Sequence, residues 1–248
     1  LFGFVQTDTP LFGIEKDLSA NIRIAGPIVA VWFIFFSIPF LLKINNFSKD
    51  KNTQKENLFI EVFKNIKSLF SNSNKGRFLL SRMIYTDGLN TLFAFGGLYA
   101  AGTFNMSFSE IIIFGILINI TAGLGALFFS YIEDKVGPKY VINLSLIFLI
   151  VIGVITLFLN SKEWFLVFGS ALGFFIGSIQ SSSRSFMSRY IVNGNNAETF
   201  GIYAVSGKCT AFLGPAILAL IVTIFDSQRV GMASIIAFFL LGLFLLQR

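Results

Sequence analysis

The chain has 248 residues, 54% hydrophobic, 16% aromatic and only 13% charged, where a soluble domain carries about 25% charged residues. A chain this apolar lacks the polar surface to cover a core in water, which argues against one or two soluble domains of this length and makes the bilayer its solvent. The formal charge of +6 comes with no histidine, so zinc-protease spacing, Ser-His-Asp triads and imidazole relays are absent together.

The cationic surplus flanks apolar runs instead of forming a basic stripe on a soluble face, which argues against nucleic acid as a partner. The single Cys209 lies inside an apolar run, so no intramolecular disulfide forms. With no metal-ligating cluster and no nucleophile–base pair, neither a metal, a cofactor nor an enzyme activity is expected.

The chain opens at Leu1 without a charged leader and runs from Gln6 to Asn21 as a loop outside a membrane. An N-terminal portion is therefore expected to precede it. Seven segments then reach the roughly 20 apolar residues of a membrane-crossing helix: 24–42, 78–102, 109–132, 140–159, 164–186, 199–224 and 230–246. The turns after the second, third, fourth and sixth are short, which makes successive helices antiparallel neighbours.

The exception is 43–77, with eight Lys/Arg against Asp50, Glu56 and Glu61. Within it Leu58, Phe59, Val62, Phe63, Ile66, Leu69 and Phe70 recur at helical spacing, an amphipathic helix suited to the membrane surface. Placing this stretch in the cytoplasm puts 12 Lys/Arg inside and four outside, with the C-terminus inside. One helix, a basic linker and six tightly joined helices is the layout left when a twelve-helix protein loses its first five. The expected organisation is a loop and last helix of an N-terminal half over 1–42, a linker over 43–77, and a six-helix bundle over 78–248. The helix at 24–42 should then leave much of its apolar surface uncovered, its natural partners being in the missing half.

Charges within a span are costly and are functional candidates by default. Arg82 lies near the cytoplasmic end of its helix, where it can snorkel. Arg184 is likewise near a cytoplasmic end, beside the polar run Gln180 to Ser183. Asp87 and Lys208 each lie about ten residues in, or about 15 Å at helical rise, which is the midplane. Equal depth and opposite charge predict that they face one another across a direct bond or a water-filled gap, as a register-fixing ion pair or as a pair lining a solute cavity. A carboxyl and an ammonium there suit a zwitterion; proton coupling through Asp87 fits equally well. Asn90 and Asn119 add polar groups at membrane depth.

Gly169, Gly173 and Gly177 recur every four residues, with Ser181 and Ser185 continuing the row, a ridge for close helix packing. Gly214-Pro215 predicts a kink or break midway along the sixth span. Gly123-x-Gly125 has no preceding strand and is read as packing.

The loop from Ser130 through Asp134, Lys135, Gly137 and Lys139 resembles the G-x-x-x-D-[RK]-x-G-[RK]-[RK] loop of the major facilitator superfamily. Ser130 and Pro138 depart from the pattern. The resemblance implies a charge-dependent latch between sliding helices through Asp134 and Lys135. Three further stretches resemble the vacuole-effluxer-like branch of that superfamily: Ser81-Arg82 through Tyr85, Asp87-Gly88 and Asn90 to Phe93; Gln180 with Ser183-Arg184-Ser185; and Phe200-Gly201, Tyr203 and Ser206-Gly207-Lys208 through Phe212 to Gly214-Pro215. They imply an all-α membrane protein, the C-terminal half of a secondary transporter of a small solute by alternating access. Fungal members are associated with exporting amino acids from the vacuole, which makes amino-acid efflux the implied activity. Its setting would be a bacterial plasma membrane, with the lipid bilayer, the missing half and the solute as partners. A transporter-derived receptor or a channel is the alternative; a retinal protein would carry its lysine on the last helix, not the sixth.

Overall fold

The computed structural model describes residues 23–43, 73–189 and 196–247. The amphipathic helix expected over 58–70, most of the basic linker and the loop 190–195 lie outside the described residues. The chain divides into two compact units, Leu1–Leu58 and Phe59–Arg248, and the described residues form helices joined by turns.

In the first unit, α1 (Ala25–Lys43) is apolar on all sides, and its side chains from Ile28 to Leu42 are largely exposed. Pro39 lies inside this helix, and Ser37 Oγ donates to the Phe33 carbonyl at 2.7 Å.

The second unit contains α2 (Ser73–Phe104), α3 (Phe108–Val136), α4 (Pro138–Phe158), α5 (Lys162–Ser188), α6 (Asn196–Ser206), α7 (Leu213–Phe225) and α8 (Gln228–Gln247). Turns of a few residues force the antiparallel order. Ser107 and Glu110 form a reciprocal capping box that starts α3. Gly137 ends α3 and begins α4 at φ +86°, a conformation that only glycine adopts without strain. Asp226 closes α7 in the left-handed region.

Pairing follows the small residues. Gly125, Gly173 and Gly177 bring α3 and α5 into backbone contact: a Cβ on Gly177 would stand 1.8 Å from the Ala122 carbonyl oxygen, and one on Gly125 1.9 Å from that of Phe174. Gly169 seats the Phe114 ring. Thr121 Oγ1 donates across this seam to the Ser170 carbonyl at 2.8 Å. The α4–α5 contact is stitched by Ser145 and Ser178, 2.7 Å apart, and by the stacked rings of Phe148 and Phe175. Helix α8 lies on α2, where Gly88 meets Phe239 and Ser81 Oγ donates to the Gly242 carbonyl at 2.6 Å. Between them Leu79, Tyr85, Ile142, Leu146, Leu149 and Ile179 are fully buried.

The outer surface is apolar. Phe128, Tyr131, Phe158 and Trp164 are exposed, Phe158 at 78%. A surface of this kind is stable against lipid tails and not against water. Among the described residues, five helices are long and apolar enough to cross a membrane: α1, α3, α4, α5 and α8. Helix α2 is longer than any of them, but its apolar run is interrupted by Arg82, Asp87 and Asn90.

The sixth span differs from expectation. It is not one helix over 199–224 but two, separated at Gly207–Phe212. The interruption is a series of three-residue turns, with Lys208 N donating to Val205 O (2.9 Å) and Leu213 N to Thr210 O (2.8 Å). Proline explains the restart: Pro215 stands in the first turn of α7, where its missing N–H costs nothing. The break expected at Gly214-Pro215 thus falls one turn earlier. Helix α2 begins at Ser73, five residues before the expected span.

Candidate functional site

Beside this break α2, α5 and α6 border an open cavity of about 430 Å3. It brings together Asn90, Gln180, Arg184 and Lys208, four of the residues singled out in the sequence, and adds Arg82, Tyr85, Ser183, Phe200 and Tyr203.

Each wall has a physical reason. The two ends of a broken helix leave carbonyls and N–H groups without helical partners, and α2 supplies both kinds of complement. Arg82 Nη1 donates to the Tyr203 carbonyl at 2.5 Å and to Ser206 Oγ at 2.8 Å. Its guanidinium carbon lies 3.5 Å from the centroid of the Tyr203 ring. A cation at a helix C-terminus also meets the negative end of the dipole. Gly207 adjoins the Arg82 guanidinium, which an added Cβ there would meet at 2.9 Å from Nη1 and displace slightly. Arg82 therefore does not snorkel to an interface; it reaches across to α6.

Five residues on, Asp87 faces the other half of the break. Its side chain is buried (2% exposed), beside Gly214 in the first turn of α7. Oδ1 has no hydrogen-bond partner. Gly214 packs directly on α2 here: an added Cβ would lie 2.0 Å from Thr91 Oγ1 and 3.0 Å from the Asp87 carbonyl.

Asp87 and Lys208, expected to face one another, make no direct bond among the described residues. Lys208 lies in the break itself, exposed, on the cavity wall. Asp87 is not among the residues that line that cavity, and among the described residues the two form no ion pair.

Asn119 is likewise elsewhere. It lines a second, largely apolar cavity of about 230 Å3 among α2, α3, α4, α5 and α8, and donates to the Gly115 carbonyl of its own helix at 2.8 Å. The polar residues of α5 divide by face. Ser183 is buried and shares a 2.7 Å hydrogen bond with the Tyr85 hydroxyl; Gln180 and Arg184 are exposed on the cavity side.

At the α3–α4 turn, Asp134, Lys135 and Lys139 are exposed and make no hydrogen bond or ion pair among the described residues. The engaged acid is their neighbour Glu133, which is buried and accepts from Ser182 Oγ at 2.5 Å, with Arg189 3.9 Å away. The opposite end of the unit is held by Lys162 on Glu110 at 2.5 Å and by Arg229 on the Leu159 carbonyl and Asn160.

Sequence reasoning passed over Tyr85, Ser183, Phe200 and Tyr203 as site residues. All four stand within the quoted motifs, spaced as one face of each helix, and that was the signal available.

The model of the family described as "Vacuole effluxer Atg22 like" matches residues 9–248. The chain belongs to this family. It is 21% identical over 237 residues to the uncharacterized MFS-type transporter YxiO of Bacillus subtilis (strain 168), covering 94% of this chain and 55% of that protein. It is 28% identical over 244 residues to Autophagy-related protein 22 of Vanderwaltozyma polyspora, covering 85% and 47%. For the protein of that name in Cryptococcus neoformans (strain JEC21) the identity is 24% over 234 residues, covering 85% and 41%. The chain spans about half the length of the curated relatives it matches. It is a multi-pass helical membrane protein of a transporter family.

Proposed function

We propose that this chain supplies one half of a secondary transporter, and that the cavity beside the α6–α7 break is its share of the solute path. The observation that carries the reading is that cavity: about 430 Å3, walled by an interrupted helix and lined by Arg82, Arg184 and Lys208. Discontinuous helices with cation-bearing, irregular backbone are tolerated at membrane depth only where they face protein or a water-filled space, and transporters place their solute sites at such breaks. The polar α2 supports the same reading, since its Arg82 bonds to α6 and its Asp87 is buried.

In this proposal the solute is small, amino acids being one candidate, and the cavity opens to alternate sides as the two halves rock. The end carrying the α3–α4 turn and the C-terminus is cytoplasmic, on the 12-to-4 distribution of Lys/Arg, in a bacterial plasma membrane. The α3–α4 turn then serves as a latch, through Glu133 with Asp134, Lys135, Gly137 and Lys139 around it.

Counterflow in proteoliposomes holding the full-length protein tests carriage: saturable exchange with trans-stimulation is expected, and linear, non-saturating flux would identify a channel instead. Orientation is read separately. After Cys209 is replaced by Ser, a cysteine at Ser107 should react with an impermeant reagent from outside intact cells and one at Ser71 should not.

A further inference from the structure

The charges of the cavity are all of one sign. Arg82, Arg184 and Lys208 line it, and among the described residues no Asp or Glu does. Arg184 and Lys208 are exposed and form no ion pair among the described residues. Asp87 of α2 is buried and does not line the cavity. The lining also holds Leu89, Phe200 and Tyr203, together with Asn90 and Gln180.

We infer that the solute is a small organic anion, a carboxylate with an apolar body, whose charge is held by Lys208 and Arg184. The inference rests on the transporter reading above. Arg82 already spends two donor contacts on α6, so it adds positive potential while the other two cations keep their hydrogen-bonding capacity for a ligand. A carboxylate satisfies them with charge-assisted hydrogen bonds. An ammonium group entering the same space meets three like charges and no counter-ion on this wall, which raises its energy and selects against amines. Rings and a leucine side chain along the lining take up a hydrocarbon body, as expected of a cavity that orients its ligand by a few polar groups among apolar ones.

The test uses solutes that share a carbon frame and differ only in charge. Phenyllactate, phenylalanine and phenylalaninol form one set, and 2-hydroxy-4-methylpentanoate, leucine and leucinol the other: anion, zwitterion and cation in each. Counterflow is measured with the full-length protein in proteoliposomes. The expected result is saturable exchange of the hydroxy acids, with KM below that of the matching zwitterion by about tenfold, the effect of one charge-assisted contact, and no exchange of the amines. Lys208→Gln and Arg184→Gln, each verified as monodisperse protein, should raise the KM for the hydroxy acid by a similar factor, and Lys208→Arg should restore it. Preference for the zwitterion or the amine, or anion exchange indifferent to both variants, overturns the inference and leaves the transporter reading standing. Absence of saturable exchange for all six overturns both.

Discussion

One nitrogen of Arg82 donates to the carbonyl of Tyr203 at 2.5 Å while the guanidinium carbon lies 3.5 Å from the centroid of the same residue's ring. A single side chain on α2 thus holds both the backbone and the aromatic face of the last turn of α6. The helix break is thereby a defined structure, ended by a cation on one side and restarted beside a carboxyl group on the other.

Replacing Arg82 by Ala should loosen α6 from α2. A hydrogen bond to a charged group contributes about 1.5–3 kcal/mol, and a partly desolvated cation–π contact about 0.5–2 kcal/mol. Amide hydrogen exchange at residues 203–208 should rise in the variant while exchange in α3 and α5 stays level. Unchanged protection at 203–208 would mean that the break is held by something other than Arg82.

The glycines of the α3–α5 seam offer a matched comparison. Gly177→Ala drives a Cβ to 1.8 Å from the Ala122 carbonyl oxygen, whereas around Gly123, on α3 itself, nothing lies within 4 Å of an added Cβ. Overpacking costs about 1–3 kcal/mol and more where backbone must move; Ala for Gly in an open helical position gains up to about 1 kcal/mol. The melting midpoint in detergent should fall for Gly177→Ala and hold or rise for Gly123→Ala. Equal midpoints would show that α3 and α5 do not meet this closely.

Most of the architecture was legible because runs of about 20 apolar residues leave little else to form in lipid. The glycine row in α5 was legible too, since a four-residue period maps directly onto one helix face. The site was harder to read. Depth along a helix can be counted from a sequence, but direction around it requires knowing which neighbour is where. Arg82, assigned to the interface by its depth, is drawn inward by a carbonyl that is free only because α6 ends at Ser206. Lys208 sits in the turn that follows, so counting helical rise through Gly207–Phe212 misplaces it. At the α3–α4 turn the pattern singled out Asp134, and only the burial of the adjacent acid distinguishes Glu133.

Glu133 should therefore matter more than Asp134 to the packing of α3 on α5. Its carboxylate accepts from Ser182 and lies near Arg189, so Glu133→Ala leaves a buried hydroxyl short of a partner, at about 1–3 kcal/mol. Asp134→Ala, on the exposed face, should stay within about 0.5 kcal/mol. Thermal unfolding of the two variants in the full-length protein distinguishes them, and a larger loss from Asp134→Ala would return the latch to the residue that the sequence pattern indicates.

Asp87 and Lys208 give the most discriminating test, because two geometries predict opposite outcomes of one double-mutant cycle. Had they formed a buried pair, removing either charge would strand the other at about 3–5 kcal/mol, and removing both would recover most of that loss. In the structure they share no bond. Asp87 is buried where Gly214 packs on α2 at the start of α7, and Lys208 lines the cavity. Asp87→Asn should destabilise the protein by weakening the hold on α7, and Lys208→Gln should leave the melting midpoint near wild type because its ammonium is solvated. Their combination should equal the sum of the single effects within about 0.5 kcal/mol, as for independent sites. Rescue of Asp87→Asn by Lys208→Gln, with a coupling above about 1 kcal/mol, would reinstate the pair and remove Lys208 from the solute site. Transport separates the roles further. Lys208→Gln should impair solute affinity in a protein that folds, whereas Asp87→Asn should act through the position of α7 and lower the yield of folded protein together with the rate.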